Sequence, residues 1–328
     1  MSADSILAVD NLRAHFHTPR GVVQAIDGVT LNIREGMALG LVGESGCGKS
    51  VFARTVMGLL PSYARIDPSS RIDFLGSNLL TLPVKERRAL CGPELAMIFQ
   101  DPMTSLNPVM KIGDQITEGI IYHLGAPKAQ ARERALELLI EVGIPQADQR
   151  LEQYPHQLSG GMRQRVAIAI ALACEPKLLI ADEPTTALDV TVQAGILDLL
   201  QREQRARSMT MILITHDLGV VAGRCDEVAV MYAGKIVEQA DTKTQFANTR
   251  MPYTQALLDS IPRLDQPPHQ RLNSIGGRPP QLIEPPPGCR FAPRCAYSED
   301  RCTSEEPTLR DGTHRFACWH PLGHEAGP

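Results

Sequence analysis

One stretch restricts the possible folds more than any other: Gly43-Glu44-Ser45-Gly46-Cys47-Gly48-Lys49-Ser50, set between the apolar runs Met37 to Val42 and Val51 to Leu60. The spacing G-x-x-x-x-G-K-[ST] between an expected strand and an expected helix is that of a phosphate-binding loop. Glycines let successive backbone N–H groups curl round a phosphate without Cβ clashes, and the helix N-terminus adds a favourable dipole. Lys49 supplies positive charge for the β- and γ-phosphates, and the Ser50 hydroxyl suits Mg²⁺. Gly43, Ser45, Gly46, Cys47, Gly48, Lys49, Ser50 and Val51 are therefore assigned to a nucleotide.

The surrounding chain fits such a loop. Val29, Leu31 and Ile33 alternate with polar positions, so residues 5 to 36 read as short strands. A helix is expected over 127 to 142, with Pro127 at its start, Gly143 past its end, and Ala135, Leu138, Leu139 and Val142 on one buried face. An Ala-rich helix (Gly161 to Ala173), an apolar strand (Leu178 to Ala181), a helix (Val192 to Arg207) and a strand (Met211 to Thr215) follow. This alternation argues for a parallel α/β sheet. Glu227 to Gln239 reads as a hairpin turning at Ala233-Gly234. Composition excludes other classes. The 328 residues carry a net charge of −4 with a pI of about 6.2, so no basic excess points to nucleic acid. No apolar run approaches the roughly 20 residues of a membrane span, and the first residues lack the pattern of a secretory signal. A soluble, cytoplasmic chain is expected.

Leu178-Leu-Ile-Ala-Asp182-Glu183 ends an apolar strand in two acids. Asp182 is placed to hold Mg²⁺ and Glu183 to act as general base toward water. Leu158-Ser159-Gly160-Gly161-Met162-Arg163-Gln164 puts a helix-capping serine and two glycines at a helix N-terminus, a second anion site. With LSGG the chain resembles the ATP-binding cassette (ABC) family. By that resemblance Gln100 is the Q-loop glutamine and a Mg²⁺ neighbour, Ala187-Leu188-Asp189 the D-loop, His216 the switch histidine, and Phe16, or His17 beside it, the aromatic on adenine. The implied fold is α/β: a P-loop NTPase cassette with a RecA-like parallel sheet core, an N-terminal antiparallel β subdomain and a helical subdomain at about 101 to 165. The resemblance also implies a head-to-tail pair of cassettes. Lys49, Ser50, Gln100, Asp182, Glu183 and His216 would serve one ATP, and Ser159, Gly160, Gly161, Gln164 and Asp189 would face the partner's.

Gln100 to Pro108, Tyr154-Pro-His-Gln-Leu158 and Pro252-Tyr-Thr-Gln-Ala-Leu-Leu258 are similar to the oligopeptide/dipeptide importer ATPases, a family that includes nickel and other small-solute importers. The resemblance implies ATP and Mg²⁺ as ligands, a second homologous ATPase, two transmembrane permease subunits and, indirectly, a substrate-binding protein. It places the chain on the cytoplasmic face of the membrane, with residues 101 to 125 toward the permeases. A soluble, redox-sensing ABC ATPase is the alternative of a different class.

The last part is built differently. A cassette over 1 to 250 is followed by an extension over 251 to 328 that holds thirteen of the twenty-five prolines; Arg278 to Gly288 reads as a stiff, extended linker rather than packed core. Cys289, Cys295, Cys302 and Cys318 lie in the last 40 residues. Disulfides are not expected in a reducing compartment. Four thiolates in a segment with little core point to a metal clamp. Gaps wider than C-x₂₋₄-C favour an iron–sulfur cluster over Zn²⁺, with Arg290, Arg294 and Arg301 offsetting its charge. Reduced thiols remain a third possibility, and His314 and His320 are substitute ligands for zinc. The resemblance implies a [4Fe–4S] cluster. Cys174 reads as a small buried hydrophobe, while Cys91 and Cys225 have no partner by spacing.

Overall fold

Two strands of 14 residues, Ser5–Thr18 and Gly21–Arg34, begin the folded chain of this computed structural model, where several short strands were expected. Buried and open positions alternate along parts of both, from Val29 to Arg34 most regularly, while Ala25, Ile26 and Asp27 are buried in succession. The structure describes residues 5–101, 105–186, 188–261 and 275–323. They fall into two compact units, one of residues 5–33, 38–80, 215–261 and 275–323, the other of 34–37, 81–101, 105–186 and 188–214.

In the first unit, Ser5–Thr18 pairs antiparallel with Ala64–Ile66 and Arg71–Phe74, and the latter with Ser77–Asn78. The strand Ala38–Val42, buried throughout, runs parallel to Glu227–Tyr232. Glu227–Tyr232 folds back on Lys235–Asp241. The turn between them is Ala233-Gly234, at φ 47° and 86°, the two left-handed residues a tight hairpin needs, as the sequence indicates. The helix Lys49–Met57 opens at the phosphate loop, two residues before the expected start.

The second unit holds three parallel strands, Leu95–Ile98, Leu178–Asp182 and Thr210–Thr215. All their residues are buried, as parallel strands covered on both faces require. The helices Gly160–Leu172 and Val190–Ala206 match their expected spans to within two residues. Ile112–Leu124 and Lys128–Glu141 pack with Gly160–Leu172. Pro127 stands at the N-cap of Lys128–Glu141, Gly143 takes φ 76° just past its end, and Ala135, Leu138 and Leu139 are its buried face.

The extension opens with the helix Pro252–Asp259, and its later described residues form only short elements, Ala292–Arg294, Asp300–Ser304 and Arg315–Phe316. Arg315–Phe316 adds an antiparallel edge to Lys235–Asp241. Residues 278–288, expected as a stiff, extended linker, carry no helix or strand, and they make contacts with the rest of the first unit. The Gln24 N–H donates to the Leu282 carbonyl at 2.8 Å, and Pro279, Pro280 and Leu282 lie beside the phosphate loop. Proline's missing N–H does not prevent docking when the neighbouring carbonyl supplies the bond.

Two buried carboxylates fasten the tail. Asp27 receives Arg13, Arg290 and Lys235, the last at 3.2 Å. Glu238, fully buried, accepts the N–H groups of Arg250 at 2.7 Å and Met251 at 3.2 Å and lies 2.7 Å from His314 Nε2. A buried charge is tolerated when paired and hydrogen-bonded in this way.

Candidate functional site

The first unit presents the phosphate loop at the end of the buried strand Ala38–Val42. Two glycines are dictated by close approach. A Cβ on Gly43 would lie 2.1 Å from the Met231 carbonyl oxygen, and one on Gly48, at φ 113°, would lie 2.5 Å from that of Ala25. Ser45 and Gly46 are exposed, whereas Cys47 is buried and its thiol is pushed up by burial. Lys49 is 4% exposed, and its Nζ donates to the carbonyls of Gly43 at 2.6 Å and Glu44 at 3.1 Å. Its charge is thus held at the loop, on acceptors that a phosphate can replace. Phe16 and His17 point to opposite faces of their strand; Phe16 is half-buried with its ring 5.9 Å from that of Tyr63, and His17 is exposed. His216 follows the strand Thr210–Thr215 and is exposed.

Glu44 has partners that the motif does not announce. Its N–H donates to Tyr253 Oη at 2.9 Å, and its carboxylate takes both arms of Arg294 at 2.6 and 2.9 Å. Tyr253 lies in the segment singled out for its family likeness, and Arg294 beside a cysteine, but no spacing rule links either to residue 44.

The second unit brings Gln100 and Glu183 together. The Gln100 amide donates to Glu183 Oε2 at 2.8 Å, and the Thr186 hydroxyl donates to the same oxygen at 3.0 Å. Glu183 has φ 45°, a left-handed backbone that a non-glycine residue adopts only under constraint. Its N–H is fixed on the Ile214 carbonyl at 3.0 Å. Asp182 ends its strand 1% exposed. Ser159 is the N-cap of Gly160–Leu172, its hydroxyl accepting the Met162 N–H at 3.3 Å. Ser159 and Gly160 are exposed, but Gln164 is fully buried, and its amide lacks a hydrogen-bond partner among the described residues. Asp189 caps Val190–Ala206 by accepting the Val192 N–H at 2.9 Å. Ala187 of the expected D-loop and residues 102–104 of the Gln100 to Pro108 stretch lie outside the described residues.

All four tail cysteines line one narrow cavity in the first unit, together with Tyr297, Trp319 and His320. The Cys289 N–H donates to the Cys302 carbonyl at 2.8 Å. Burial pushes the thiols of Cys289 and Cys295 up, and that of Cys318 up to about 11. All eight cysteines are free thiols, and among the described residues no three His, Cys, Asp or Glu side chains are arranged to hold a metal ion. The three neighbouring arginines do not serve the sulfurs as expected. Arg290 is taken by Asp27 and the Ala233 carbonyl and Arg294 by Glu44, while Arg301 pairs with Glu305 and lies 3.6 Å over the Trp319 ring. A full carboxylate charge is a stronger partner for guanidinium than a neutral thiol. His314 is likewise committed to Glu238, whereas His320 does line the cavity.

Comparison with known proteins accounts for both parts. The ABC transporter family profile matches residues 26–186, and that of the oligopeptide/dipeptide transporter C-terminal region matches residues 237–302. The dipeptide transport ATP-binding protein DppD of Bacillus subtilis is 50% identical over 96% of this chain and 95% of its own length. DppD of Escherichia coli is 48% identical over 99% of both. The oligopeptide transport ATP-binding protein OppD of Salmonella typhimurium is 47% identical over 98% of this chain and 95% of its own. Among solved structures, a dimeric post-hydrolysis state of the cassette MJ0796 bound to ADP and Pi superposes with a TM-score of 0.65 at 25% identity, over 72% of this chain and 98% of that one. CbiO1 from Clostridium perfringens, part of the transporter complex cbiONQ, gives 0.63 at 31% identity, over 74% and 91%.

Fold and motifs together define an ABC-type ATPase, for which ATP and Mg²⁺ are fitting ligands. More narrowly, the chain belongs to the ATP-binding proteins of the oligopeptide/dipeptide transporter family. Among its described residues no helix is long and apolar enough to cross a membrane.

Proposed function

We propose that this chain is the ATP-hydrolysing subunit that powers import of di- or oligopeptides. It works on the cytoplasmic face of the membrane beside a second homologous ATPase, two membrane-spanning permeases and, indirectly, a substrate-binding protein. The observation that carries this reading is likeness to dipeptide and oligopeptide transport ATP-binding proteins over nearly the whole chain, tail included. In it, residues 1 to 250 are the cassette, with the helical part at about 101 to 165, and 251 to 328 the extension.

Phe16 stacks on adenine, and the backbone N–H groups of the loop from Gly43 to Val51 surround the phosphates. Lys49 exchanges the carbonyls of Gly43 and Glu44 for the β- and γ-phosphates. Ser50, Gln100 and Asp182 are the residues that would hold Mg²⁺, which would supply positive charge against the phosphates. Glu183 takes the proton of the water that attacks the γ-phosphorus as the bond to the β-phosphate oxygen breaks and ADP leaves, while Gln100 and Thr186 fix its carboxylate. His216 contacts the γ-phosphate. Ser159, Gly160, Gly161, Gln164 and Asp189 serve the ATP of the facing cassette. Of these, buried Gln164 acts through the placement of its helix. Glu183→Gln is expected to lower steady-state hydrolysis about 10³-fold with ATP binding retained; turnover within tenfold of the parent overturns the role of Glu183.

The tail reads as the seat of a [4Fe–4S] cluster on Cys289, Cys295, Cys302 and Cys318. Four cysteines lining one cavity are the donor set for such a cluster, and their wide spacing along the chain favours it over a single Zn²⁺. When bound, the cluster clamps a segment with little core. The raised thiols must lose protons on loading. Equal iron and sulfide with visible absorbance are expected; zinc without iron overturns the reading.

A further inference from the structure

Arg294 directly precedes Cys295 in the chain, and its side chain is 3% exposed. All five of its N–H donors are used. Nη1 donates to Glu44 Oε2 at 2.6 Å and Tyr232 Oη at 3.2 Å, and Nη2 to Glu44 Oε1 at 2.9 Å and the Ile275 carbonyl at 3.4 Å. Nε donates to the Gly276 carbonyl at 2.8 Å. The two bonds to Glu44 form the paired fork that only arginine offers a carboxylate.

Glu44 occupies a position where phosphate binding calls for no acid. A carboxylate inside an anion-binding loop opposes the anion unless its charge is cancelled. Arg294 supplies that cancellation. The same contact reaches the loop's lysine, because the Glu44 carbonyl is one of the two that hold Lys49 Nζ. At the other end, the peptide bond after Arg294 leads into Cys295, on the wall of the cysteine cavity. Cys295, Arg294, Glu44 and Lys49 thus form one continuous path of bonds and contacts.

We propose that Arg294 is a positioning residue for nucleotide binding: it neutralises and fixes Glu44 in the phosphate loop, and so couples nucleotide occupancy to the four-cysteine site. The hold on Glu44 stands independently of any metal; the reach to the cysteines rests on their acting as one site, as proposed above. Coupling of this kind is reciprocal, and the molecule carries a reporter for it. Trp319 is the only tryptophan of the chain and lines the cysteine cavity.

The test uses the full chain as purified, with Arg294→Gln, Glu44→Gln and the double substitution. Arg294→Gln leaves Glu44 unopposed, and the KM for ATP is expected to rise about tenfold with a smaller change in kcat. Adding Glu44→Gln removes the unopposed charge and is expected to bring KM back to within about threefold of the parent. A purely structural role for Arg294 would not be rescued in this way. In the parent chain, MgADP is expected to change Trp319 emission, and in Arg294→Gln this response is lost. An Arg294→Gln KM within twofold of the parent, a double variant as impaired as the single, or a silent Trp319 in the parent overturns the proposal. Should Arg294→Gln fail to fold, Arg294→Lys keeps the charge without the fork; a KM raised about threefold supports the proposal and an unchanged one overturns it. Iron measured on the same preparations separates the two readings, because an iron-free parent removes the cluster while the KM comparison still decides the clamp.

Discussion

The phosphate loop and the cysteine tail belong to the same compact unit, and each contains a glycine with no room for a Cβ. On Gly43 the atom would lie 2.1 Å from the Met231 carbonyl oxygen, and on Gly288 it would lie 2.3 Å from that of Cys302. There the likeness ends. The loop is held mainly by backbone groups: Lys49 rests on two carbonyls, and the Gly234 N–H donates to the Cys47 carbonyl at 2.8 Å. The tail is held mainly by charged side chains meeting distant partners, Arg290 on Asp27, Arg294 on Glu44 and His314 beside Glu238. A loop whose task is to surround an anion needs N–H groups and space, and so is written in glycines. A tail with little core of its own is fastened by ion pairs, and its position depends on residues far away in sequence.

The largest effect expected from this contrast is at the loop. Gly43→Ala pushes a methyl group into a main-chain carbonyl, which cannot rotate aside as a side chain does. The loop must shift, and ATP affinity is expected to fall about 100-fold or more, roughly 3 kcal/mol. Titration with ATP measures it. Affinity within threefold of the parent would break the claim that backbone geometry shapes the site.

The same contrast explains what the sequence conveyed. Gly43 to Ser50, the strand Leu178–Asp182 and the hairpin turn Ala233-Gly234 are legible because short-range rules of spacing, burial and backbone sign determine them. The two opening strands were read as too short because three alternating positions do not reveal where a strand of 14 residues stops. The four cysteines were legible as a set, and they do line one cavity. Arg290 and Arg294, beside the cysteines, meet Asp27 and Glu44 instead, partners more than 240 residues away that adjacency in sequence does not reveal. The position of Glu183 at the end of its strand was legible, but not its left-handed backbone, whose N–H meets Ile214 of another strand.

A smaller effect tests the tail's side of the comparison. Asp27→Asn leaves Arg290, 7% exposed, without its carboxylate. The expected loss is about 3 kcal/mol of unfolding free energy in a urea titration, and a loss below about 1 kcal/mol would mean that charge pairing does not fasten the tail. The pH dependence sharpens this. Burial alone would raise the Asp27 carboxyl, but Lys235, Arg290 and Arg13 outweigh it and hold the group below the ordinary carboxylate range. A carboxyl depressed in the folded state contributes fully above the unfolded value of about 4, and that contribution is lost as pH falls through the lower folded value. The stability gap between the parent and Asp27→Asn is therefore expected to be constant from about pH 7 to pH 5 and to narrow as acid is added below about pH 4. A gap that stays constant down to pH 2 would show that the carboxylate's charge is not what binds Arg290, and that shape or hydrogen bonding alone seats the tail.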